Sequence, residues 1–283
     1  MSCQGAVSSS GGDPYGESRK KTIVILLIIV LIIPLLWMAG FLVVTDFSVP
    51  LRDARQFRHV LVIFPHADDE AITCGGVLHH FSAGGSAVTL VLLTKGERGP
   101  RATRNGNLKE IRTREARAVT AILGISKLVQ EDLGDGELRS KKQELRMFIE
   151  TFIEQEKPDL LITYDLAGLY GHADHSTCSE IITELKKTRF QEVPLWYVTF
   201  SKRVLARVKL PEHIAIDPHI QENRAFPTHK LFIGASVFPK IKAWYTYKSQ
   251  RASLREGISK FIPIWSLWFF LSMVLFEYFA EVG

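Results

Sequence analysis

Between residues 59 and 200, short apolar runs alternate with stretches of helical length and amphipathic pattern. The apolar runs are rich in Val, Ile and Leu, and most are nearly continuous, as expected for strands covered on both faces of a sheet. They are HVLVIF (59–64), SAVTLVLLT (86–94), SKLVQEDL (126–133), DLLITY (159–164) and LWYVTF (195–200). This alternation predicts an α/β fold with a mostly parallel sheet flanked by helices.

Helices are predicted between these strands, at residues 70–83, 107–123, 138–156 and 173–187. In open parallel sheets, ligands bind beyond the carboxyl ends of the strands. A polar sequence follows each of the first four strands: PHADDE, TKGERG, GDGE and YDLAGLYGHADH. We therefore expect these four sequences to share one edge of the sheet, which is called the carboxyl edge below.

The two ends of the chain carry the excess of apolar residues. Residues 22–44, TIVILLIIVLIIPLLWMAGFLVV, contain no charge and would form a helix of about 34 Å, enough to cross a bilayer. The apolar core of a cleaved signal peptide is shorter, about 7–15 residues. We predict a disordered tail at 1–21, a transmembrane anchor at 22–44 and a linker at 45–57.

A second apolar stretch, FIPIWSLWFFLSMVLF at 261–276, is short for a span but has aromatic residues suited to a membrane interface. We predict a C-terminal hydrophobic, membrane-associated helix within 258–283, and the chain is then single-pass or two-pass. If both segments cross, the positive-inside rule places the domain at 58–257 in the cytoplasm. If only the first crosses, the basic residues on its two sides nearly balance. We therefore expect the domain on the cytoplasmic side.

The sequences after the first and fourth strands contain residues suited to a catalytic metal. His66, Asp69 and His175 provide two imidazoles and one carboxylate, a common ligand set for catalytic zinc with one position left for water. Asp68, beside Asp69, could accept the proton of that water. A simpler interpretation is that the two aspartates only cap the following helix.

Two further residues of GHADH could assist the chemistry. His172 could stabilise an oxyanion or protonate a leaving nitrogen. Asp174 could accept a ring N–H of a histidine ligand. Either cluster alone is weak evidence, but two clusters at the ends of parallel strands together predict a metal site.

The two motifs resemble those of the PIG-L/LmbE-like deacetylases, whose usual forms are (P/A)HPDDE and GHxDH or HPDH. They stand here as PHADDE and GHADH, and TKGERG and RTREA (112–116) also match. The resemblance covers about residues 58–254. It implies a Rossmann-like fold and a zinc-dependent amidase that acts on N-acetyl sugars, although Fe²⁺ or another divalent ion could replace zinc.

The resemblance also implies roles for individual residues. It implies that His66, Asp69 and His175 bind zinc, that Asp68 is the general base, that His172 is an electrostatic partner or general acid, and that Tyr170 contacts the substrate or its oxyanion. One departure is Ala67, which stands where the family motif has proline. The change loosens the loop but removes no chemical group.

Three more residues are candidates for binding the substrate. Glu97, Arg98 and Arg112 carry groups that could hold sugar hydroxyls or phosphate. The three cysteines have no metal-binding spacing. Nothing in the sequence indicates a nucleic-acid partner.

The leading interpretation is a membrane-anchored enzyme that removes the N-acetyl group from a GlcNAc-type sugar. The anchor favours a lipid-linked substrate, either GlcNAc-phosphatidylinositol or a polyprenyl-diphosphate sugar, with membrane lipids as further partners. One alternative is an amidase that acts on a soluble N-acylated conjugate. Another is a non-catalytic membrane scaffold with a structural metal.

Overall fold

The computed structural model describes residues 14–53, 57–99, 107–206, 217–250 and 275–283. The strands are β1 (His59–Phe64), β2 (Ala87–Leu92), β3 (Lys127–Gln130), β4 (Leu160–Tyr164), β5 (Leu195–Thr199), β6 (His229–Phe232) and β7 (Phe276–Val282). The helices are α1 (Pro14–Val44), α2 (Asp69–Thr73), α3 (Gly75–Ala83), α4 (Leu108–Leu123), α5 (Lys142–Glu156), α6 (Gly168–Gly171), α7 (Ala173–Thr188), α8 (Lys202–Leu205), α9 (Pro218–Asn223) and α10 (Val237–Thr246).

The strands form one sheet in the order β3-β2-β1-β4-β5-β7-β6. The first five are parallel to one another, and β7 pairs antiparallel with both β5 and β6. The prediction of a mostly parallel α/β sheet is therefore confirmed. The chain order reverses beside β1, and β1 and β4 end where a ligand site is expected in such a sheet.

Strand β1, at the centre of the sheet, is buried on both faces, and every residue from Val60 to Phe64 is apolar. Val60, Val62 and Phe64 face one core, which contains apolar side chains of α3, α4 and α10. Leu61 and Ile63 face a second core, formed with α5 and α7. The helices predicted for these regions are present, except that the first is interrupted at Cys74 to give α2 and α3.

The C-terminal residues differ from the prediction. Residues 276–282, placed in a membrane-associated helix at 258–283, form strand β7 inside the sheet. The sequence FEYFAEV suits a strand because its aromatic side chains pack against both neighbouring strands. Residues 258–274 of the predicted helix lie outside the described residues. The folded domain thus extends beyond the predicted boundary at residue 257.

The position of β7 bears on the two-pass alternative. Gln250 is buried in the domain, and the carbonyl of Leu275 accepts a hydrogen bond from the backbone N–H of Ile233. Residues 276–282 lie in the sheet, so they form no part of a membrane-spanning helix. Residues 251–274, which contain the rest of the second apolar stretch, lie outside the described residues, and a second span stays an open alternative.

Helix α1 starts at Pro14, so residues 14–21 are helical and not disordered as predicted. Proline is favoured at the first position of a helix, where its missing N–H has no partner to lose. Residues 18–44 are long and apolar enough to cross a membrane, by length and composition alone, and an 18-residue window within them has a mean hydropathy of 3.1. Residues 1–13 of the predicted tail lie outside the described residues.

The predicted linker at 45–57 packs on the domain. Thr45, Asp46, Val49 and Phe57 are buried, and Leu51 forms a bridge with a residue of β6. Residues 54–56 lie outside the described residues. The described part of this segment therefore joins α1 to the domain by direct contact and not through a free tether.

Candidate metal centre

The loop after β1 places His66 and Asp69 at the carboxyl edge of the sheet. Asp68, between them, has a backbone φ of 108°, which is strained for any residue other than glycine. The buried guanidinium of Arg112 holds this loop by donating hydrogen bonds to the carbonyls of Ala67 (2.5 Å) and Gly96 (3.0 Å). Backbone strain of this kind is commonly found at functional sites, where surrounding contacts maintain it.

Gly96, in the TKGERG loop after β2, is required by this arrangement. Its φ is +63°, and a Cβ there would lie 2.3 Å from the guanidinium carbon of Arg112. Any side chain at residue 96 would displace the arginine. The glycine thus permits the close approach that fixes the conformation of the loop after β1.

Helix α7 carries His175 to the same point from the end of β4. The Nδ1 atom of His66 lies 3.2 Å from Nε2 of His175. Asp69 places Oδ2 at 3.7 Å from the first of these nitrogens and Oδ1 at 3.5 Å from the second. Potential ligand atoms of three residues therefore converge from sequences more than 100 residues apart, and all three residues are buried.

The separation of the two nitrogens fits a tetrahedral metal ion. Bonds of about 2.0–2.1 Å in a tetrahedral site place neighbouring ligand atoms about 3.4 Å apart. The nitrogens of His66 and His175 are 3.2 Å apart, and each lies within 3.7 Å of a different oxygen of Asp69. Two nitrogens and a carboxylate oxygen also form a chemically suitable donor set for zinc or iron(II).

The surroundings of His175 orient it for such a role. Its Nδ1 lies 3.2 Å from the carbonyl oxygen of Gly168, which can accept only an N–H, so Nε2 keeps its lone pair. Tyr164 stacks on the ring with centroids 4.2 Å apart. Burial lowers the pKa of His175 to about 3 despite the nearby charge of Asp69. The residue is therefore neutral, as a metal ligand must be.

The far side of His66 faces two carboxylates. Its Nε2 lies 3.1 Å from both Asp174 Oδ2 and Asp135 Oδ1. Burial lowers the pKa of His66, but these two contacts outweigh it and raise the pKa to about 10. With Nε2 protonated toward the carboxylates, Nδ1 is directed at His175 and Asp69, as in carboxylate–histidine–metal arrangements.

Asp135 is a site residue that the sequence analysis missed. It lies in GDGE after β3, and its Oδ2 accepts the backbone N–H of Arg98. Burial alone would raise its pKa, but the hydrogen bond to His66 outweighs this and lowers the pKa to about 2. The position of GDGE after the third strand was the available signal.

Asp174 occupies the position expected of a partner for a histidine ligand. Besides its contact with His66, it accepts the backbone N–H groups of Gly136 (2.6 Å) and Leu138 (3.2 Å). Hydrogen bonds to the charged form favour an ionised carboxylate. Burial opposes this, but the hydrogen bond to His66 leads the effects that lower the pKa of Asp174.

His172 lies beside the cluster, with its ring centroid 4.8 Å from that of His66 and 4.7 Å from that of His175. Its Nδ1 accepts the backbone N–H of Asp174 at 3.2 Å and caps helix α7. Burial lowers its pKa, so the ring is neutral and the proton is on Nε2. This tautomer can donate a hydrogen bond but has no second lone pair for a metal.

The carboxyl group of Asp68 has the electrostatics of a general base. Burial raises its pKa to about 7, although the guanidinium of Arg112, 3.3 Å from Oδ1, acts in the opposite direction. A base is most effective when its pKa lies near the working pH. The backbone N–H of Asp68 donates to Glu70 (3.2 Å), which in turn accepts the hydroxyl of Tyr247 (2.5 Å).

Tyr170 lies at the entrance to the cluster, with 42% of its surface exposed. Its ring centroid is 5.3 Å from that of His175 and 6.2 Å from that of His172. The structure thus brings together seven of the ten predicted site residues. These are His66, Asp68, Asp69, Tyr170, His172, Asp174 and His175.

The three predicted substrate-binding residues contact other residues of the site. Arg112 is 3% exposed, donates to two backbone carbonyls and lies 3.3 Å from Asp68 Oδ1. Glu97 accepts the backbone N–H of Asp135. Arg98 is paired with Glu137 at the surface. The assignment of all three to substrate binding stays a prediction, and the contacts of Arg112 show in addition that it holds the loop of Asp68.

Comparison with known proteins identifies the group to which this geometry belongs. The family described as PIG-L, GlcNAc-PI de-N-acetylase, matches residues 61–186. The probable N-acetyl-alpha-D-glucosaminyl L-malate deacetylase 2 of Bacillus anthracis is 36% identical over 138 residues, which cover 46% of this chain and 60% of that protein. The diacetylchitobiose deacetylase of Thermococcus kodakarensis is 30% identical over 236 residues, covering 79% of this chain and 78% of that protein.

A solved structure supports the fold independently. The N,N'-diacetylchitobiose deacetylase of Pyrococcus horikoshii superposes with a TM-score of 0.56 at 20% identity, covering 96% of this chain and 94% of that one. The resemblance drawn from the two motifs is thereby confirmed. The chain belongs to the PIG-L family of N-deacetylases, which are metal-dependent amide hydrolases.

Proposed function

We propose that this protein is a membrane-anchored, zinc-dependent enzyme that removes the acetyl group from a lipid-linked GlcNAc sugar. The observation that supports the chemistry best is the convergence of His66, Asp69 and His175 at separations of 3.2–3.7 Å. The sugar is inferred from the relatives, which are named as deacetylases of N-acetylglucosaminyl malate, diacetylchitobiose and an inositol 2-acetamido-2-deoxyglucopyranoside.

In this proposal His66, Asp69 and His175 hold zinc, which would supply a Lewis acid for the acetamide carbonyl and lower the pKa of a bound water. Asp68 accepts the proton of the attacking water. Its pKa of about 7 allows it to return the proton to the leaving amine later in the reaction. Arg112 keeps the Asp68 loop in its strained conformation.

His172 donates its Nε2–H to the oxygen of the tetrahedral intermediate. A neutral donor next to the metal ligands stabilises developing negative charge without competing for the metal. Its position as the cap of α7 fixes both the ring and its tautomer. Tyr170, at the entrance, contacts the sugar or the same oxygen.

Helix α1 supports membrane anchoring and a lipid-linked substrate. Its described side chains from residue 18 to residue 36 are all exposed, so the domain does not bury this apolar surface. Only a bilayer, or another protein of similar chemistry, would cover so large an apolar surface. GlcNAc-phosphatidylinositol and a polyprenyl-diphosphate sugar both present an N-acetyl group at a membrane surface.

The side of the membrane depends on the number of spans. With one span, Arg19, Lys20 and Lys21 on one side balance Arg52, Arg55 and Arg58 on the other. The positive-inside rule then favours neither side. A cytoplasmic location of the domain is favoured only with a second span.

The test is acetate release from a panel of substrates by the full chain in detergent. The panel contains GlcNAc-phosphatidylinositol, a GlcNAc-linked polyprenyl diphosphate and soluble GlcNAc conjugates. We expect release from a lipid-linked substrate by the wild type and none above background by Asp68→Asn. The matched control is Asp132→Asn, which removes an exposed carboxylate from the same edge of the domain and retains activity.

Other outcomes point to the alternatives. Release from the soluble conjugates alone would show that the anchor serves only to localise the enzyme. A wild-type protein that contains zinc but releases acetate from no member of the panel would contradict the proposed substrate class and support the scaffold interpretation. Unchanged activity of Asp68→Asn would contradict the assignment of the base.

A further inference from the structure

Helix α1 joins the domain at the carboxyl edge, the same edge that carries the metal cluster. The hydroxyl of Ser201, two residues after β5 ends, donates to the carbonyl of Val44 at 2.8 Å. The N–H of Asp46 donates to the hydroxyl of Tyr278, whose partner across the sheet is Thr199, the last residue of β5. The base of α1 is therefore fixed at the carboxyl end of β5.

A short path of contacts leads from that point to the catalytic residues. Thr199 donates its hydroxyl to the carbonyl of Ala225, and the N–H of Ala225 donates to Asp165 (both 2.9 Å). Asp165 also accepts the N–H of Leu169. Leu169 follows Gly168, whose carbonyl oxygen contacts His175. The base of α1 and the metal cluster thus lie on neighbouring loops of one edge.

No spacer separates the apolar helix from the domain. The uncharged run continues to Val44, and Thr45 is already buried in the domain. Every described side chain of α1 from residue 18 to residue 36 is exposed, so this part of the helix is not packed into the domain. If α1 crosses a bilayer, the carboxyl edge must therefore lie against the surface of that bilayer.

The surface around the base of α1 has the chemistry of a membrane interface. We define the interfacial patch as Phe47, Phe232, Phe238, Lys202 and Arg203. The three phenylalanines are 56%, 50% and 71% exposed. Phe232 ends β6 and contacts Phe276, which contacts Phe41 of α1. Phe238 lies in the first turn of α10, just after the turn that follows β6.

The basic residues of the patch are on α8, which follows β5 directly. Lys202 and Arg203 are both exposed, and Arg203 donates a hydrogen bond to the carbonyl of Leu42 in α1. Aromatic rings prefer the headgroup level of a bilayer, and basic side chains beside a span attract anionic lipids. Contact with the headgroup region of a bilayer crossed by α1 would explain why these aromatic rings are exposed in the domain.

We infer that the interfacial patch rests on the headgroups of the bilayer that α1 crosses, with the entrance to the metal cluster facing the lipid. This inference rests on the proposed membrane anchor. A lipid-linked sugar would keep its acyl chains in the bilayer while its N-acetyl group enters the site at the carboxyl edge. Recognition would then require no extraction of the lipid.

The experiment locates the two edges of the sheet relative to lipid. A fluorophore is attached to Phe47→Cys or Phe238→Cys in a Cys3→Ser background, where the remaining Cys74 and Cys178 are buried. The matched control is Glu192→Cys, an exposed position just before β5 at the opposite edge. Each full-length protein is reconstituted into vesicles of phosphatidylcholine and phosphatidylglycerol that carry a nitroxide near the headgroup.

We expect all variants to float with the vesicles, the labels at residues 47 and 238 to lose most of their fluorescence, and the label at 192 to keep it. If the proteins float but the label at 192 is quenched as strongly as the others, or neither edge is quenched, the inference is overturned while the anchor stands. If the proteins do not float, the proposed anchor fails, and the inference fails with it.

Discussion

Two buried groups of charged residues in this domain differ in how their charges are neutralised. Behind the first turn of α3, Glu277 accepts the N–H groups of Gly76 and Val77 and the ammonium of Lys240, so the carboxylate has its full set of partners. At the carboxyl edge, His66 lies among three carboxylates, those of Asp69, Asp135 and Asp174. The carboxylate of Glu277 is fully paired, whereas the group around His66 contains more carboxylates than basic side chains.

The difference shows how a structural and a functional group of buried acids can be distinguished. Burying a charge is costly unless a partner compensates it, and the imidazolium of His66 offsets only one of these three carboxylates, so the remaining acid favours a further cation. The neutral Nε2 of His175 lies 3.2 Å from Nδ1 of His66, where a bound metal ion would replace a proton. The same number of carboxylates spread over separate ion pairs would carry no such implication.

The largest expected effect is the loss of a metal ligand. His175→Ala removes one of three ligands and should lower acetate release by at least about a thousandfold, because the metal supplies several kcal/mol of transition-state stabilisation. His229→Ala is the matched control, since His229 is also buried but packs on Phe279 and Trp196. The control should lose stability but keep its activity per folded molecule. Equal losses of activity would remove the distinction between the two sites.

Breaking the buried pair of Glu277 and Lys240 should lower the stability of the protein and leave its metal binding unchanged. Glu277→Gln leaves the ammonium of Lys240 buried without a counter-charge and should lower the free energy of unfolding by about 3–5 kcal/mol. Glu180→Gln breaks the exposed pair with Lys142 and should cost less than about 1 kcal/mol. Denaturant unfolding in detergent measures both. A folded Glu277→Gln protein that had lost its metal would contradict the comparison.

A smaller effect is expected from the carboxylates behind His66. Asp135→Asn weakens the partner that orients this imidazole and should raise the dissociation constant for zinc about 10–100-fold. Asp132→Asn, three residues earlier and exposed, should leave the constant unchanged. Competition with a chromogenic chelator gives both values. An unchanged constant for Asp135→Asn would mean that Asp174 alone orients His66.

The smallest effect is expected from a change at Arg112, which holds the loop of the proposed base Asp68. Arg112→Lys cannot donate to both the Ala67 and Gly96 carbonyls in the same geometry, so the Asp68 loop relaxes. We expect kcat to fall about tenfold with KM unchanged, because positioning of the base and not substrate binding is affected. Arg114→Lys, on the exposed side of the same helix, is the control. A rise in KM alone would show instead that Arg112 binds substrate.

The parts of the structure that rest on local pattern were predictable. Strand β1 has the predicted bounds because an uninterrupted Val and Ile run between polar ends has few alternative structures. The metal cluster was found because its histidines and aspartates occur in two short motifs at the ends of β1 and β4. Both signals lie within a few residues of sequence.

The parts that depend on distant contacts were not predictable. Strand β7 follows a long apolar stretch, and its antiparallel pairing with β5 joins residues about eighty positions apart. Asp135 was missed because GDGE contains no histidine and reads as a turn. The role of Arg112 depends on the conformation of two loops, at Ala67 and Gly96, which an amphipathic pattern does not report.

The most direct test of the account is the metal content of the purified wild-type chain. The excess of acid around His66 predicts about one tightly bound zinc or iron(II) ion per chain, removed by a chelator together with activity and restored by adding the ion back. A folded chain that binds no divalent metal at micromolar concentrations would contradict the account. The converging residues at the carboxyl edge would then need another explanation.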